Sequence, residues 1–392
     1  MKEVSLFMRL LIIFLSVTNA FIIIYGPQPV LPLFMQEFGI SISTASLSIS
    51  LTILGIVFSS LFLAVFSDKW DRKKVILVSN LLLIIPSLAL FFTHSFSWLL
   101  VFRFVQGTLI TGVTTILMTY AAEEFPIKKK GMVLATYVSA TLAGGLLGRV
   151  LCGFITEHFN WEWFFFVTTV MTTVVSLLIY FFLSESTGQI KSGKQNFTDH
   201  FKNLPLLSTF FIGFSHFFAF VGFFNYLPFY ASQAPFNYSV AQTSLLYLTY
   251  IWGIVSSLIT GMVSNRFGRR ATIAVGHLVG ATGILVTLIP SPYALILGAS
   301  ILTLGQFCSQ SSATAYITDV VTHSKGAATS LYQCFFYLGG SLGAWIPGIL
   351  WRHFHWSGIV VTTVGFILLA LSSNYFLGGR RSRVAQSKRV TA

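Results

Sequence analysis

Charged residues are scarce in this 392-residue chain, making up 9 % of it, and Asp and Glu together number only 11. Soluble domains carry about 25 % charged residues. So little charge cannot keep a protein surface wetted, which excludes an ordinary soluble domain. Cysteine is also rare: Cys152, Cys308 and Cys334 are the whole set, and all three fall in apolar segments. An odd number of cysteines so placed argues against a disulfide framework.

Hydrophobic residues are abundant, at 55 % of the sequence. They form uninterrupted runs of about twenty residues, the helix length that crosses a hydrocarbon core of roughly 30 Å. Backbone groups in lipid must be bonded internally, and the runs lack the alternation of a membrane strand, so each run is predicted to be a helix. We predict an all-α integral membrane protein with twelve transmembrane helices at 10–33, 46–67, 75–93, 97–122, 131–156, 162–183, 206–231, 240–264, 271–289, 292–318, 326–351 and 356–378.

The net charge of +13 would suit a nucleic-acid partner, but its distribution indicates a membrane. If the N-terminus is placed inside, Lys and Arg fall at the chain ends and in the loops of that side, while the opposite loops hold only Arg352. Loops rich in Lys and Arg face the cytoplasm. We therefore expect both termini in the cytoplasm, lipid as the surrounding partner and no nucleic acid.

The sequence repeats itself in two halves. Residues 184–205 are the longest polar stretch between predicted helices and separate six helices from six. At an offset of 195 several glycines of the fifth helix recur in the eleventh: Gly131, Gly144, Gly145, Gly148 and Gly153 match Gly326, Gly339, Gly340, Gly343 and Gly348. Duplicated six-helix halves are a transporter design. The predicted domains are a bundle over 1–183, a linker over 184–205, a bundle over 206–378 and a basic tail over 379–392.

A charged loop is duplicated as well. "SDKWDRKK" (67–74) aligns with "SNRFGRRA" (264–271), each following the second helix of its half. The first copy resembles the loop motif of the major facilitator superfamily, with Asp68, Arg72 and Lys73 in matching places. "RFVQG" (103–107) is similar to the R-x-x-Q-G of its twelve-helix drug:proton antiporter branch. The Gly-Arg pair at Gly148 also occurs in the YnfM-like inner-membrane transporters of that superfamily.

The resemblance implies a secondary transporter working by alternating access, with substrate held near the midplane between the repeats. Helix identity then nominates substrate-binding residues: Tyr25, Gln28, Arg103, Gln106, Tyr137, Arg149, His216, Asn225, Tyr226, Tyr250, Gln306, Gln310, Tyr316, Gln333 and Tyr337. The resemblance also implies a conformational latch of Asp68, Arg72, Lys73 and Arg269, although topology alone could explain the cations. Candidates for proton coupling are Asp68, Arg103, Glu123, Glu124, His216, His277 and Asp319.

Two arginines, Arg103 and Arg149, lie well within predicted spans, where the sequence offers no obvious acidic partner. Such residues usually face a cavity or a partner. Arginine binds carboxylates bidentately, so these two could bind an anionic substrate. They could also be held structurally, by carbonyls at helix ends or by the amides of Gln28 or Gln106, and both readings stay open.

The expected function is transport rather than catalysis, since the sequence shows no metal-ligand cluster, no nucleophile–base arrangement and no phosphate-binding loop. The leading hypothesis is proton-coupled efflux of a small organic compound. Alternatives are transport of an anionic metabolite or a carboxylate-type chelator in either direction, and a non-transporting sensor of the same fold. No cofactor is expected, the proton gradient being the driving force, and we expect a monomer in a bacterial inner membrane.

Overall fold

The computed structural model describes residues 5–66, 71–185, 200–201, 203–321 and 325–377. Within these ranges the chain is helical and contains no strand. The helices are α1 Leu6–Tyr25, α2 Leu31–Glu37, α3 Ile42–Phe66, α4 Arg72–Phe91, α5 Phe96–Glu124, α6 Ile127–His158, α7 Glu162–Phe182, α8 Leu204–Ala231, α9 Val240–Leu245, α10 Tyr250–Phe267, α11 Arg269–Val286, α12 Pro292–Val320, α13 Lys325–Trp345 and α14 Pro347–Phe376. Turns of 3₁₀ helix lie at Gln28–Val30 and Leu246–Thr249.

Ten segments of the described chain are long and apolar enough to cross a membrane. The two predicted spans not among them correspond to α11, which opens with Arg269 and Arg270, and α13, which is rich in Gly and Ser. Both are helices, so each of the twelve predicted spans corresponds to helical structure. The all-α, twelve-helix membrane fold predicted from the sequence is confirmed.

The first span is interrupted where α1 ends. Tyr25 is the last residue of α1, and the chain passes through the 3₁₀ turn at Gln28–Val30 before α2 continues the span. Pro27 causes the break, because proline has no N–H to donate to the carbonyl four residues earlier. Gly26 is required by packing: a Cβ there would lie 2.1 Å from the ring of Phe164.

The last two helices differ from the predicted boundaries. The eleventh helix was expected to reach residue 351, but α13 ends at Trp345 and α14 begins at Pro347. Proline is well suited to the first turn of a helix, where its missing N–H is not needed. Inside α14, His355 has φ 46° and ψ −136°, so the helix breaks there and the last spanning segment begins just beyond it.

The chain divides into two compact units. Unit 1 comprises Met1–Ser192 with Pro228–Tyr247, and unit 2 comprises Gly193–Leu227 with Leu248–Ala392. In unit 1, α1 packs on α6, and α5 packs on both α3 and α4. In unit 2, α12 packs on both α10 and α11.

Glycines bring α1 and α6 of unit 1 into backbone contact. A Cβ on Gly144 would lie 2.4 Å from the carbonyl oxygen of Thr18, and one on Gly148 would lie 2.7 Å from Cα of Ile22. Small residues spaced four apart let membrane helices approach this closely. Any side chain at these positions would push the two helices apart.

Unit 2 repeats the same contact between α8 and α13. A Cβ on Gly339 would lie 2.1 Å from the carbonyl oxygen of Phe214, and one on Gly343 would lie 2.3 Å from that of Phe218. The glycines that match in sequence at a constant offset therefore perform the same packing in both units. The sequence repeat is a structural repeat.

We predict that Gly343→Ala destabilises the protein, because the new methyl group would overlap the backbone of Phe218. Overpacking of this kind costs about 1–3 kcal/mol. Gly365→Ala is the matched control, since nothing lies within 4 Å of its Cβ position and alanine favours a helix by roughly 0.5–1 kcal/mol. Thermal unfolding of the purified variants in detergent measures both, and equal midpoints would contradict the packing argument.

Candidate functional site

The break in α1 leaves backbone carbonyls that the helix cannot satisfy, and Arg103 of α5 binds them. Its Nη1 donates to the carbonyl oxygen of Ile23 at 2.7 Å, and its Nη2 donates to that of Ile24 at 2.8 Å. In a continuous helix the carbonyl of Ile23 would accept a hydrogen bond from the backbone N–H of residue 27. That residue is Pro27, which has no N–H. Carbonyls in the last turn of a helix, such as that of Ile24, also need outside donors.

The remaining recorded bonds of Arg103 are also to protein groups. Nε donates to the carbonyl oxygen of Ser48 at 3.2 Å, and Nη1 donates to Oε1 of Gln106 at 2.8 Å. Gln106 in turn donates to Oγ of Ser87 at 2.9 Å. Arg103 and Gln106 are both fully buried. The geometry favours a bracing role for Arg103 between α1, α3 and α5, while its predicted roles in substrate binding and proton coupling stay predictions.

Arg149 lies in a cage of neutral groups within unit 1. Its Nε donates to Oε1 of Gln28 at 2.6 Å, and its Nη1 donates to the carbonyl oxygen of Gly145. The guanidinium lies over the ring of Tyr25 at 4.8 Å from the centroid and over that of Tyr247 at 4.8 Å. Planar stacking between aromatic faces suits arginine better than lysine. We call Tyr25, Gln28, Arg149 and Tyr247 the arginine cage.

The elements that build the arginine cage are held by close packing. Gly148 sets α6 against α1, as described above, and Gly153 sets α6 against α9, where a Cβ would lie 2.4 Å from the side chain of Ser244. Further along α6, Glu157 accepts a hydrogen bond from the backbone N–H of Ala241 at 3.2 Å. The cage is therefore made by α1, its 3₁₀ turn, α6 and the turn after α9.

The sequence predicted three of the four cage residues but missed Tyr247. Tyr250 was nominated instead, and its ring packs against Phe220, Phe224 and Phe307 in unit 2. No sequence signal distinguished Tyr247 from Tyr250, because both fall in the same predicted span. The 3₁₀ turn at Leu246–Thr249 could not be read from the sequence.

Two ion pairs occupy matching places in the two units. Arg72 at the start of α4 bonds Glu123 at the end of α5, with Nε at 3.2 Å from Oε2, and both side chains are almost fully buried. Arg269 at the start of α11 bonds Asp319 near the end of α12, also at 3.2 Å, but both side chains are more exposed. The sequence placed Arg72 and Arg269 in a latch and Asp319 in proton coupling, and the structure pairs Asp319 with a latch residue.

Two other residues of the predicted latch add less. Lys73 is half-buried in the first turn of α4. Asp68 lies outside the described residues, so its predicted roles in the latch and in proton coupling stay predictions. Asp71 caps α4 by accepting from the backbone N–H of Lys74 at 2.8 Å, as an N-cap aspartate does.

Asn225 and Tyr226 of α8 bind the end of α13. Nδ2 of Asn225 donates to the carbonyl oxygen of Ala344 at 3.0 Å, and the hydroxyl of Tyr226 donates to the same oxygen at 2.8 Å. Both residues are fully buried. In unit 1, the hydroxyl of Tyr137 donates to the carbonyl of Thr114 at 3.2 Å. These three nominated residues thus satisfy backbone carbonyls.

The other nominated residues of unit 2 separate into two environments. His216 is buried beside the half-buried Gln310. Gln333 is exposed on the surface of α13 and does not join them. The structure therefore brings the nominated residues together as the arginine cage in unit 1 and a histidine-containing group in unit 2.

Twelve helical spans, repeated halves and buried polar side chains define a multi-pass membrane transport protein. Comparison with known proteins agrees. The Major Facilitator Superfamily model matches residues 10–248 and 233–391. The chain is 30 % identical to the MFS-type transporter YybF of Bacillus subtilis (strain 168), over 90 % of this chain and 89 % of that protein. It is 30 % identical to the inner membrane transport protein YnfM of Escherichia coli (strain K12), over 93 % and 89 %.

Solved structures show the same fold. A bacterial homologue of the human lysosomal transporter Spinster, inward-facing and unoccupied, superposes with a TM-score of 0.80 at 16 % identity, covering 95 % of this chain and 98 % of that one. The nucleoside transporter NupG superposes with a TM-score of 0.78 at 12 % identity, covering 94 % and 99 %. The chain belongs to the Major Facilitator Superfamily. It is a transporter and not an enzyme.

We predict that Arg103→Lys lowers the thermal unfolding midpoint, because one ammonium group cannot reach carbonyls on α1 and α3 together. Each buried acceptor left without a donor costs about 1–3 kcal/mol. Arg352→Lys is the control, since Arg352 is exposed. An unchanged midpoint for Arg103→Lys would show that the guanidinium does not brace these helices.

We predict unequal costs for breaking the two ion pairs. Glu123→Gln leaves Arg72 charged and buried, which costs about 3–5 kcal/mol, whereas Asp319→Asn breaks an exposed pair worth at most about 1 kcal/mol. Chemical or thermal unfolding in detergent compares them. The double variant R72M/E123L should recover part of the lost stability. Similar losses of stability for Glu123→Gln and Asp319→Asn would contradict the prediction that the buried pair matters more than the exposed one.

Proposed function

We propose that this chain exports a small organic compound by alternating access, driven by inward movement of protons. The observation that carries the proposal is the arginine cage. Two tyrosine rings, an amide and a guanidinium converge from separate elements of unit 1, which matches the mixture of aromatic surface and a few placed polar groups found in small-molecule sites. All four side chains are at most 7 % exposed.

The position of Arg149 favours a second candidate, a substrate that carries a carboxylate. Gln28 offers the guanidinium a neutral acceptor at 2.6 Å. A carboxylate can bind a guanidinium through two parallel hydrogen bonds and carries the opposite charge, whereas the amide oxygen accepts a single bond, so a substrate carboxylate would compete well with the amide. Once displaced, the Gln28 amide could donate to the same carboxylate through its nitrogen.

Membrane energetics also favour export of an anion. Moving one charge across the membrane is worth about 2.3 kcal/mol per 100 mV. With the cell interior negative, an anion leaving the cell moves down the electrical potential. Proton entry moves positive charge in the favourable direction too, so both steps of an anion–proton exchange would be driven the same way.

The proposal is tested with purified protein in proteoliposomes whose interior is made acidic. Ethidium, an aromatic cation, and phthalate, an aromatic dicarboxylate, serve as probes, and protein-free liposomes correct for passive entry. Accumulation of either probe that depends on the pH gradient supports proton-coupled transport. Uptake of neither probe above the protein-free level, or uptake that ignores the gradient, would count against it.

We predict that Arg149→Gln lowers phthalate accumulation more than ethidium accumulation. Loss of a charge-assisted bond worth about 1.5–3 kcal/mol corresponds to about tenfold to hundredfold in binding. Arg352→Gln, which removes an exposed arginine, is the matched control. An equal loss of accumulation for both probes would contradict the carboxylate candidate and would indicate that Arg149 only holds the helices of unit 1 together.

A further inference from the structure

A separate group of polar side chains lies wholly inside unit 2. His216 of α8 is 2 % exposed, while His277 of α11 and Gln306 of α12 are 0 % exposed. The two imidazole rings meet edge to face with their centroids 6.1 Å apart. The amide of Gln310 lies beside the His216 ring, and that of Gln306 approaches the ring without forming a hydrogen bond of normal geometry. We call His216, His277 and Gln306 the histidine pocket.

The contacts of His277 indicate which of its nitrogens carries the proton. Nδ1 lies 3.0 Å from the carbonyl oxygen of Ile273, which can only accept, so Nδ1 is the donor. Ser309 also bonds Nδ1 and shares this donor. In a neutral ring Nε2 is then a bare acceptor, and among the described residues it has no hydrogen-bond partner.

Further atoms of the histidine pocket are buried without partners in the described part of the chain. They are Nδ1 of His216 and both the oxygen and the nitrogen of the Gln306 amide. Buried polar atoms are nearly always hydrogen-bonded to protein or to water, and a buried water needs two to four polar partners. Four such atoms in one pocket provide enough partners for a water molecule.

We propose that the histidine pocket holds water and that His216 and His277 together bind one proton. The proton adds to the lone pair of His277 Nε2 or His216 Nδ1, reached through the water, and leaves by the same route, so no covalent bond other than N–H forms or breaks. The ligand class is the proton delivered by water. The role of this site in transport rests on the proposed function. The inference adds to that function the place where the coupled proton would bind.

Aromatic faces beside His216 would offset part of the cost of burying an imidazolium there. Its ring stacks on Phe220, with centroids 6.1 Å apart and planes 5° apart, and on Phe336, with centroids 5.8 Å apart and planes 21° apart. A cation over an aromatic face is stabilised electrostatically, more so where water is scarce. The carbonyl oxygen of Gln306 adds an acceptor for a newly formed N–H.

In the described part of the chain, the titratable groups whose rings pack against the aromatic neighbours of His216 are phenols. Tyr332 and Tyr337 of α13 flank Phe336, and Tyr250 of α10 packs against Phe220. Helix α12 contributes Gln306, Ser309 and Gln310, none of which titrates. In the residues that the structure describes, no ion pair is recorded for either imidazole.

The pair should bind one proton and not two. Two imidazolium rings this close in a low-dielectric interior would repel each other strongly. Strongly interacting groups titrate as a unit, and each apparent step belongs to the pair. A single proton shared between α8 and α11 therefore changes the charge of the pocket by one and alters the contact between the two imidazole rings.

The experiment is nitrogen NMR of the full protein in lipid nanodiscs, with ¹⁵N-labelled histidine and a series of pH values. His216→Gln and His277→Asn assign the two buried signals. Asparagine is chosen because its amide nitrogen can still donate to the Ile273 carbonyl while Nε2 is deleted. His353→Gln, which removes an exposed histidine of the same unit, is the matched control. The thermal unfolding midpoint of each variant verifies that it folds. If a histidine variant does not fold, Gln306→Leu tests the pocket instead, because it removes no histidine.

We expect both buried signals to shift together, with a total uptake of one proton, and to show cross-peaks to water. In His277→Asn the titration of His216 should move, whereas His353→Gln should leave both signals unchanged. Gln306→Leu should weaken the water cross-peaks. Two signals that titrate independently, that stay neutral throughout, or that show a dry pocket would overturn the proposal.

Transport separates this inference from the proposed function, because the titration needs no substrate. In the acidic-interior proteoliposomes, His277→Asn should reduce gradient-driven accumulation at least tenfold. Full accumulation in that variant would overturn the coupling role even if the pair binds a proton. If the unaltered protein moves neither ethidium nor phthalate, the proposed function fails while the titration still decides whether the proton site exists.

Discussion

The interruption of α1 at Pro27 is the constraint on which the candidate site in unit 1 depends. Lipid offers no water to a backbone carbonyl, so a broken helix must find donors within the protein. Arg103 supplies them to Ile23 and Ile24. The same break turns Gln28 toward Arg149, since it lies in the 3₁₀ turn and not on a continuous helix. Arg103 thus stabilises the break, and Arg149 binds the Gln28 side chain that the break positions.

The two halves share their packing and differ in their chemistry. The glycine contacts of α1 with α6 recur between α8 and α13, yet the residue that matches Arg149 at the offset of 195 is Ala344. In unit 2 that residue presents only its carbonyl, which accepts from Asn225. Duplication therefore preserved the backbone approach, while the buried guanidinium belongs to unit 1 and the buried imidazole pair to unit 2.

The number of spans and the internal repeat could be predicted because they depend on local or periodic patterns in the sequence. Span number follows from hydrophobic runs, and Gly148 and Gly343 match because the register of the repeat is ungapped. The partners of Arg103 could not be predicted, since they are carbonyls on α1 and α3 set by the break. Gln333 was nominated from its helix alone; it is exposed on α13, and its predicted role in substrate binding stays a prediction. Tyr247 was missed because its turn is not visible in the hydropathy pattern.

Under the proposed proton coupling, the placement of charge favours histidine over a carboxylate as the proton carrier within the membrane. Within the described residues, the ion pairs Arg72–Glu123 and Arg269–Asp319 sit at the ends of their helices. A carboxylate buried between them would be charged whenever it released its proton, and that state is costly in a low-dielectric interior. A histidine is neutral when empty and charged only when loaded. The histidine pair, of which His216 stacks on two phenylalanine rings, is therefore charged only while it carries the proton.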